Sequence, residues 1–373
     1  MQSVDCLIST KITRTSRVLQ LEGLFDIPPC EKSEVRLEAR LPLSEQPWNI
    51  GLIHGPSGSG KTTLAKRLWP NEYERHLVWS ENESILDAFP ASMNIKQIVE
   101  LLCHVGFSSP PSWLRPFHVL STGEQFRVTM ARILGEGATL NVVDEFTSVV
   151  DRTVAQIGSV AIAKTVRKRN QQLIAISCHA DIVEWLQPDW TFEPAVNRFQ
   201  WRRLRRHPEI RLYVHRVHPK IWDIFKSHHY LSADLHKAAQ CYCAFLNDNR
   251  AVAFTAVLAF PHAIRPGYRE HRTVCLPDFQ GVGIGNRLSD FVASMYLARN
   301  RPYRSTTSHP GMIQSRRHSL NWVMIRKPDR TKRSQQSTCI GLNKSVARDR
   351  ITASFEFVGQ VNSTAARELG VIS

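Results

Sequence analysis

The stretch Gly55-Pro56-Ser57-Gly58-Ser59-Gly60-Lys61-Thr62 decides how the first half of this 373-residue chain folds. It has the form G-x-x-x-x-G-K-[ST], and it lies between a short apolar run, WNIGLIHG, and an amphipathic helix start, KTTLAKRL. Glycines let successive backbone N–H groups curl around a phosphate, and the N-terminus of the following helix adds its partial positive charge. In such a loop, continuing to Thr63, Lys61 reaches the outer phosphates and the Thr62 hydroxyl binds Mg²⁺. The expected ligand is a nucleoside triphosphate.

Leu140-Asn141-Val142-Val143-Asp144-Glu145 reads as a strand ending in two acids. Behind a phosphate loop, Asp144 can hold Mg²⁺ and Glu145 can polarise an attacking water. QQLIAISCH is a further strand, ending at His179. Strands alternating with helical patterns predict an α/β domain whose parallel-rich sheet is covered on both faces.

Between these motifs lies Leu120-Ser121-Thr122-Gly123-Glu124-Gln125, followed by FRVTMARIL with Arg132. This segment resembles the LSGGQ signature of ABC-type ATPases, with one position altered. Ser148-Val149-Val150-Asp151 resembles the D-loop of that family, and His179 its switch histidine. The motifs occur in family order over residues 15–195. The resemblance implies a P-loop NTPase domain that binds ATP and Mg²⁺, with Glu145, His179 and Asp151 as its catalytic set. It also implies that two such domains close head to tail over two nucleotides. Ser121 and Gly123, with Glu124 and Gln125 beside them, would then touch the γ-phosphate held by the other subunit. A chain with one such domain would form a homodimer. Phe25 resembles the aromatic that stacks on adenine, and a core phenylalanine is the equal alternative. Two departures weaken a transporter-subunit reading. Only 60 residues separate Lys61 from Ser121, and the expected strand HLVW is followed by SENESILDAF, with no glutamine. Glu81 or Asp87 are the candidate substitutes.

Charge divides the chain. Residues 1–205 carry 23 basic and 22 acidic side chains, a net +1, whereas residues 206–373 carry 25 and 11, a net +14. Such asymmetry points to a polyanionic partner, here nucleic acid, or to a domain that is merely basic. We place a domain boundary near residue 205, within the basic connector that follows QPDWTFEP, and expect an alternating strand from Ile210.

Gln280-Gly281-Val282-Gly283-Ile284-Gly285 follows TVCLPDF and precedes the helical run NRLSDFVASMYLA. A glycine-rich strand-to-helix turn can hold pyrophosphate on backbone N–H groups. Upstream, AAQCYCAFLNDNRAVAFTAVLAF reads as an antiparallel hairpin turning at Asn247–Asn249, so no βαβ unit surrounds the glycines and a dinucleotide site is excluded. The Q-x-x-G-x-G pattern after Leu-Pro-Asp-Phe resembles motif A of GNAT acyltransferases. The resemblance implies an α+β GNAT-like domain over 206–373, with acetyl-CoA or another acyl-CoA bound at Gln280 to Gly285. Asp278 stands where that family often has an acidic surface residue. In the next expected strand region, Tyr303 to Pro310, His309 is a general base with Ser308 as proton relay, or a polar structural residue. His228, His229 and Tyr230, after the helical IWDIFKS, are candidates for the acceptor pocket. Arg316, Arg317, Arg326, Lys327, Arg330, Lys332 and Arg333 surround Trp322, an arrangement suited to phosphates and a stacking base, or to a solvated loop. The pairing resembles prokaryotic ABC-type ATPases fused to an acetyltransferase-like domain, and the HHYLS segment shares a short likeness with Mom-type enzymes that modify adenine in DNA. The competing classes are a transporter ATP-binding subunit and an ATPase clamp whose GNAT-like half only binds.

No apolar stretch has membrane-helix length, and the N-terminus has no signal-peptide core, so a cytoplasmic protein is expected. The eight cysteines form no C-x-x-C pair. Cys241 and Cys243 should share one buried strand face.

Overall fold

The computed structural model describes residues 2–73, 77–202, 210–229, 234–246, 249–330 and 351–373. The boundary expected near residue 205 falls outside them, as do Asn247, Tyr230, Lys332 and Arg333. In chain order the elements begin with β1 (Gln2–Lys11), α1 (Ser16–Phe25), β2 (Lys32–Leu41), β3 (Ile50–His54), α2 (Lys61–Leu68) and α3 (Pro70–Tyr73). Helices α4 (Ile95–His104), α5 (Pro110–Trp113) and α6 (Thr122–Gly135) follow. Next come β4 (Leu140–Val143), α7 (Arg152–Lys168), β5 (Gln172–Ser177), α8 (Ile182–Leu186), β6 (Trp190–Glu193) and β7 (Arg198–Trp201). The last part runs β8 (Tyr213–Val217), α9 (Trp222–Phe225), β9 (Gln240–Phe245), β10 (Ala251–Phe260) and β11 (Gly267–Cys275), then α10 (Ile284–Leu297) and β12 (Tyr303–Thr307). It closes with α11 (Pro310–Arg317), β13 (Trp322–Arg330), β14 (Ile351–Phe357) and α12 (Ser363–Glu368). Two compact units result, one of Met1–Leu77, Ala138–Val149 and Val166–His207, the other of Val78–Gly137, Val150–Thr165 and Pro208–Ser373.

The first unit holds a five-stranded sheet in the order β4-β5-β3-β6-β7, with β7 alone antiparallel to its neighbour. Its apolar strands place Ile53, Val142, Ile174, Ile176, Trp190 and Phe192 in one core with Leu64 and Ala65 of α2. Gly51 is needed there, because a Cβ would stand 2.0 Å from Cζ2 of the Trp190 indole. Strands β6 and β7 were not expected from the sequence. WTFE and RFQW are four residues each, too short for a period to declare itself, and a proline and arginines flank them. The strand expected at HLVW is absent over its described residues, Leu77–Trp79. Trp79 instead stacks on Phe117, centroids 4.3 Å apart, and Val78 faces solvent.

The second unit holds a seven-stranded sheet in the order β13-β14-β12-β11-β10-β9-β8. The expected β9–β10 hairpin is present and antiparallel. Cys241 and Cys243 share one face with Trp222, Phe225 and Phe254, while Tyr242 and Ala244 pack on the other against Leu288 and Val292 of α10. Among the described residues of this sheet only β11 and β12 run parallel, and they are in register at two positions, Tyr268–Tyr303 and Arg269–Arg304.

Beyond those two positions a buried polar cluster occupies the space between the strands. Glu270 and Arg316 form an ion pair of 2.7 Å with side chains 6% and 2% exposed. Thr273 and Ser289 donate to the Glu270 carboxylate at 2.5 and 2.8 Å, and Ser305 donates to its other oxygen. Burial pushes the Glu270 carboxyl up, but Arg316, Ser305 and Thr273 together hold it below its ordinary value. Two expectations about the cationic run therefore change. Arg316 is a core residue, and Trp322 is buried beneath it with its ring N–H on Asp290, so it is no stacking platform for a base.

A buried pair broken on one side leaves an uncompensated charge, which costs about 3–5 kcal/mol. Arg316→Met should lower the stability of the second unit by that amount, read as a lower urea midpoint. Glu270→Gln in the same chain should recover part of the loss.

Candidate nucleotide site

In the first unit the C-terminal ends of β3, β4 and β5 lie side by side, with His54 opposite Ser177 and Val143 opposite Ala175. Ligands of parallel sheets bind outside such strand ends. The phosphate loop leaves β3 there, Asp144 and Glu145 leave β4, and His179 leaves β5. Gly55, Gly58 and Gly60 have φ of 146°, 79° and 83°, the curl the motif requires. Gly60 also caps α2 where a Cβ would meet Leu37 at 2.5 Å.

Lys61 is buried, and its ammonium donates to the carbonyls of Gly55 at 2.9 Å and Pro56 at 2.7 Å. Both of these carbonyls are neutral, and the buried Ser59 hydroxyl inside the loop has no partner among the described residues. A cation and an unused hydroxyl beside curled N–H groups suit a phosphate. The Thr62 hydroxyl donates to Asp144 at 2.7 Å, which joins the two groups expected to hold Mg²⁺. Tyr73, which the sequence reading did not include, donates to the same Asp144 oxygen at 2.7 Å. Glu145 adopts φ 49°, a left-handed conformation uncommon for a side chain with a Cβ, and is exposed at the strand end. Phe25 is 65% exposed, which removes the alternative of a core phenylalanine.

The signature residues belong to the second unit. Ser121 caps α6 through a capping box, accepting from Glu124 N at 3.3 Å while Glu124 accepts from Ser121 N at 3.0 Å. Gln125 donates to the Phe117 carbonyl at 3.1 Å. Asp151 caps α7, accepting from Thr153 N and Val154 N at 2.9 and 3.1 Å. Further along α6 the guanidinium of Arg127 is 1% exposed and bonds the carbonyls of Gly106, Pro277 and Asp278. A single sequence carries no signal that this arginine, among many, is interior.

Around the second glycine-rich turn, Gly281 and Gly283 have φ of 92° and 91°, and Gly283 caps α10. Val282 and Gly285 are partly exposed and Ile284 is buried in the core. Gln280 is buried, receiving Ser108 N on its Oε1 and donating Nε2 to the Cys275 carbonyl at 2.7 Å. Ser308 follows the end of β12. His309 caps α11: its Nδ1 accepts from Met312 N at 3.4 Å and its Nε2 lies 3.3 Å from the Ser108 carbonyl. Burial lowers its pKa. With both ring nitrogens engaged, a base role requires Ser108 to withdraw. His228 is lowered chiefly by burial, opposed by Glu124 and Asp278, and His229 packs against Trp222.

No family model matches the chain, and no curated protein matches it. Among solved structures, the chain is similar to the ATP-binding cassette MJ0796, in a dimeric post-hydrolysis state bound to ADP and Pi. That match has 12% identity and a TM-score of 0.36, over 45% of this chain and 92% of that one. It is also similar to cbiO1 from Clostridium perfringens, part of the ABC transporter complex cbiONQ, at 18% identity and a TM-score of 0.33. The second match covers 46% of this chain and 79% of the other. Among the described residues no helix is long and apolar enough to cross a membrane.

Thr62→Val removes the hydroxyl that meets Asp144. Mg²⁺-dependent ATP binding, followed by calorimetry with and without the metal, should weaken about 10–100-fold. An unchanged Mg²⁺ dependence would take both residues out of the metal assignment.

Proposed function

We propose that this protein is an ABC-type ATPase that binds Mg–ATP, pairs head to tail with a second copy, and controls an acyl-CoA-dependent N-acyltransferase. Residues 1–205 form the ATPase module and residues 206–373 the acyltransferase module. The observation that carries the ATPase is the meeting of Lys61, the unpartnered Ser59 hydroxyl and the Thr62–Asp144 pair at the ends of β3 and β4. Lys61 neutralises phosphate charge, Thr62 and Asp144 hold the metal, Glu145 orients water, and His179 contacts the γ-phosphate. Ser121 and Gly123 offer the amides of a capped helix N-terminus to the nucleotide of the partner copy, and Asp151 fixes the start of α7 beside that half-site.

The acyltransferase reading is supported by the parting of β11 from β12 and by the glycine turn from Gln280 to Gly285, with positive φ at Gly281 and Gly283, at the start of α10. Bound acyl-CoA supplies an activated thioester. The amides of Gly281 to Gly285 hold its pyrophosphate, and Ser308 and His309 stand at the end of the neighbouring strand. Nucleic acid as acceptor is supported by the net +14 on residues 206–373.

Lys61→Ala should abolish Mg²⁺-dependent ATP hydrolysis. Glu145→Gln should cut turnover about 10²–10⁴-fold while retaining ATP, and should sediment as a dimer when ATP is present. A variant that stays monomeric at saturating ATP would rule out the head-to-tail pair. Labelled acetyl-CoA incubated with ATP and DNA or tRNA should transfer label, and retained ATPase without any transfer would remove the acyltransferase.

A further inference from the structure

In the second unit the end of α4 and the chain that leads to α5 reach across the C-terminal ends of the parallel β11–β12 pair. Cys103 lies beside the β12–α11 junction, where a Cβ on Gly311 would stand 3.7 Å from the Cys103 Cβ. Three residues on, Gly106 meets the other side of the opening. A Cβ on Gly106 would stand 2.5 Å from the Gln280 carbonyl oxygen, and one on Gly281 would stand 2.5 Å from Gly106 Cα. The two glycines therefore touch backbone to backbone, a contact that excludes any side chain at either position. Ser108 then bonds both walls, with its amide on Gln280 Oε1 and its carbonyl at 3.3 Å from His309 Nε2.

We propose that residues 103–109 form an internal plug over the acyl-CoA turn, latched by Arg127, so that the cofactor and this segment compete for one groove. The inference rests on the acyl-CoA reading of Gln280 to Gly285. The latch is physical. Arg127 Nη1 donates to Gly106 O at 2.5 Å on the plug and also to Pro277 O, and Nη2 donates to Asp278 O at 2.5 Å on the segment that leads into the turn. One guanidinium thus joins the plug to the wall it covers. It projects from α6, whose first turn carries Ser121 and Gly123, and a Cβ on Gly123 would lie 2.9 Å from the Asp278 carboxylate. A nucleotide phosphate arriving at Gly123 meets that carboxylate, so engagement of a second ATP-loaded copy displaces Asp278 and loosens the seat of Arg127. The plug also explains the engagement of His309, whose Nε2 is released only when Ser108 leaves.

Gly106→Ala tests the plug from a position outside the cofactor turn. Gly106 has φ 88°, and a methyl group there collides with Gln280 O. Isothermal titration with CoA should show dissociation constants about tenfold lower for the variant than for the unaltered chain, because a larger fraction is open. Hydrogen exchange on the unaltered chain supplies an independent reading. Saturating CoA should protect amides 281–285 and speed exchange at 103–109, and ATP added to the Glu145→Gln chain should speed exchange at 103–109 as well. Equal CoA affinity in both proteins, with exchange at 103–109 unaffected by CoA, would overturn the plug and leave the acyl-CoA site standing. No CoA binding by either protein, with ATPase intact, would overturn the acyl-CoA site and the plug with it.

Discussion

The second unit is organised around a cation that has no hydrogen-bonded anion among the described residues. Arg127 is enclosed, and the groups it bonds are three backbone carbonyls. Burying a guanidinium is tolerable only when most of its donors are met and some negative potential surrounds it, and here Nη1 and Nη2 are met while Nε has no partner among the described residues. Here burial lowers its pKa to about 10, opposed by the fields of Asp278, Glu124 and Asp151, so the group stays charged at neutral pH. The planar fork sets where the carbonyls of Gly106, Pro277 and Asp278 must converge. That convergence brings Gly106 against Gly281 so closely that neither position can carry a side chain.

A second buried arginine shows the other solution. Arg316 faces Glu270 directly, with Ser305 and Ser289 completing the network, and it ties β11, β12, α10 and α11 together between the parting strands. Losing either member leaves a bare charge in a low-dielectric core, so this pair is a fixed element of the fold. Arg127 is bound to neutral dipoles, which are weaker partners, and water can replace them when the surface opens. One arginine holds the parallel pair from within and the other holds a cover across its end. The difference in partner chemistry suits one to permanence and the other to release.

The parts legible in the sequence are those whose physics is local. The phosphate loop announces itself because curled N–H groups need glycines at fixed spacing, and the Asp144–Glu145 pair because it ends an apolar run. The β9–β10 hairpin is legible through its alternation, down to the shared face of Cys241 and Cys243. What failed depended on tertiary partners. Four-residue strands such as WTFE and RFQW borrow their pairing from β3 and from each other. Trp79 looks like a strand residue until Phe117 and Arg132 sandwich its indole. Arg316 and Trp322 read as part of a solvated basic run, because nothing near them in sequence reveals that Glu270 and Asp290 wait inside. Arg127 was invisible for the same reason.

Asp278 shows how such hidden tertiary context changes the meaning of a residue. In sequence it is an acid beside a glycine turn, easily taken for surface decoration. In the structure burial raises its pKa, Glu124 and Asp151 raise it further, and Arg127 and His228 oppose them. Three carboxylates thus share the region around the first turn of α6 with a single buried guanidinium. At about 4 Å and an effective dielectric constant of about 20, two like unit charges repel by roughly 4 kcal/mol. A phosphate brought to Gly123 in the proposed dimer meets that repulsion in full unless Asp278 moves or takes up a proton. Movement is the path the geometry offers, because Asp278 belongs to the short turn whose carbonyls seat Arg127. In the proposed dimer the cost of admitting a nucleotide is therefore borne at the Gln280–Gly285 turn, and the same acid that resists the phosphate carries the response to it.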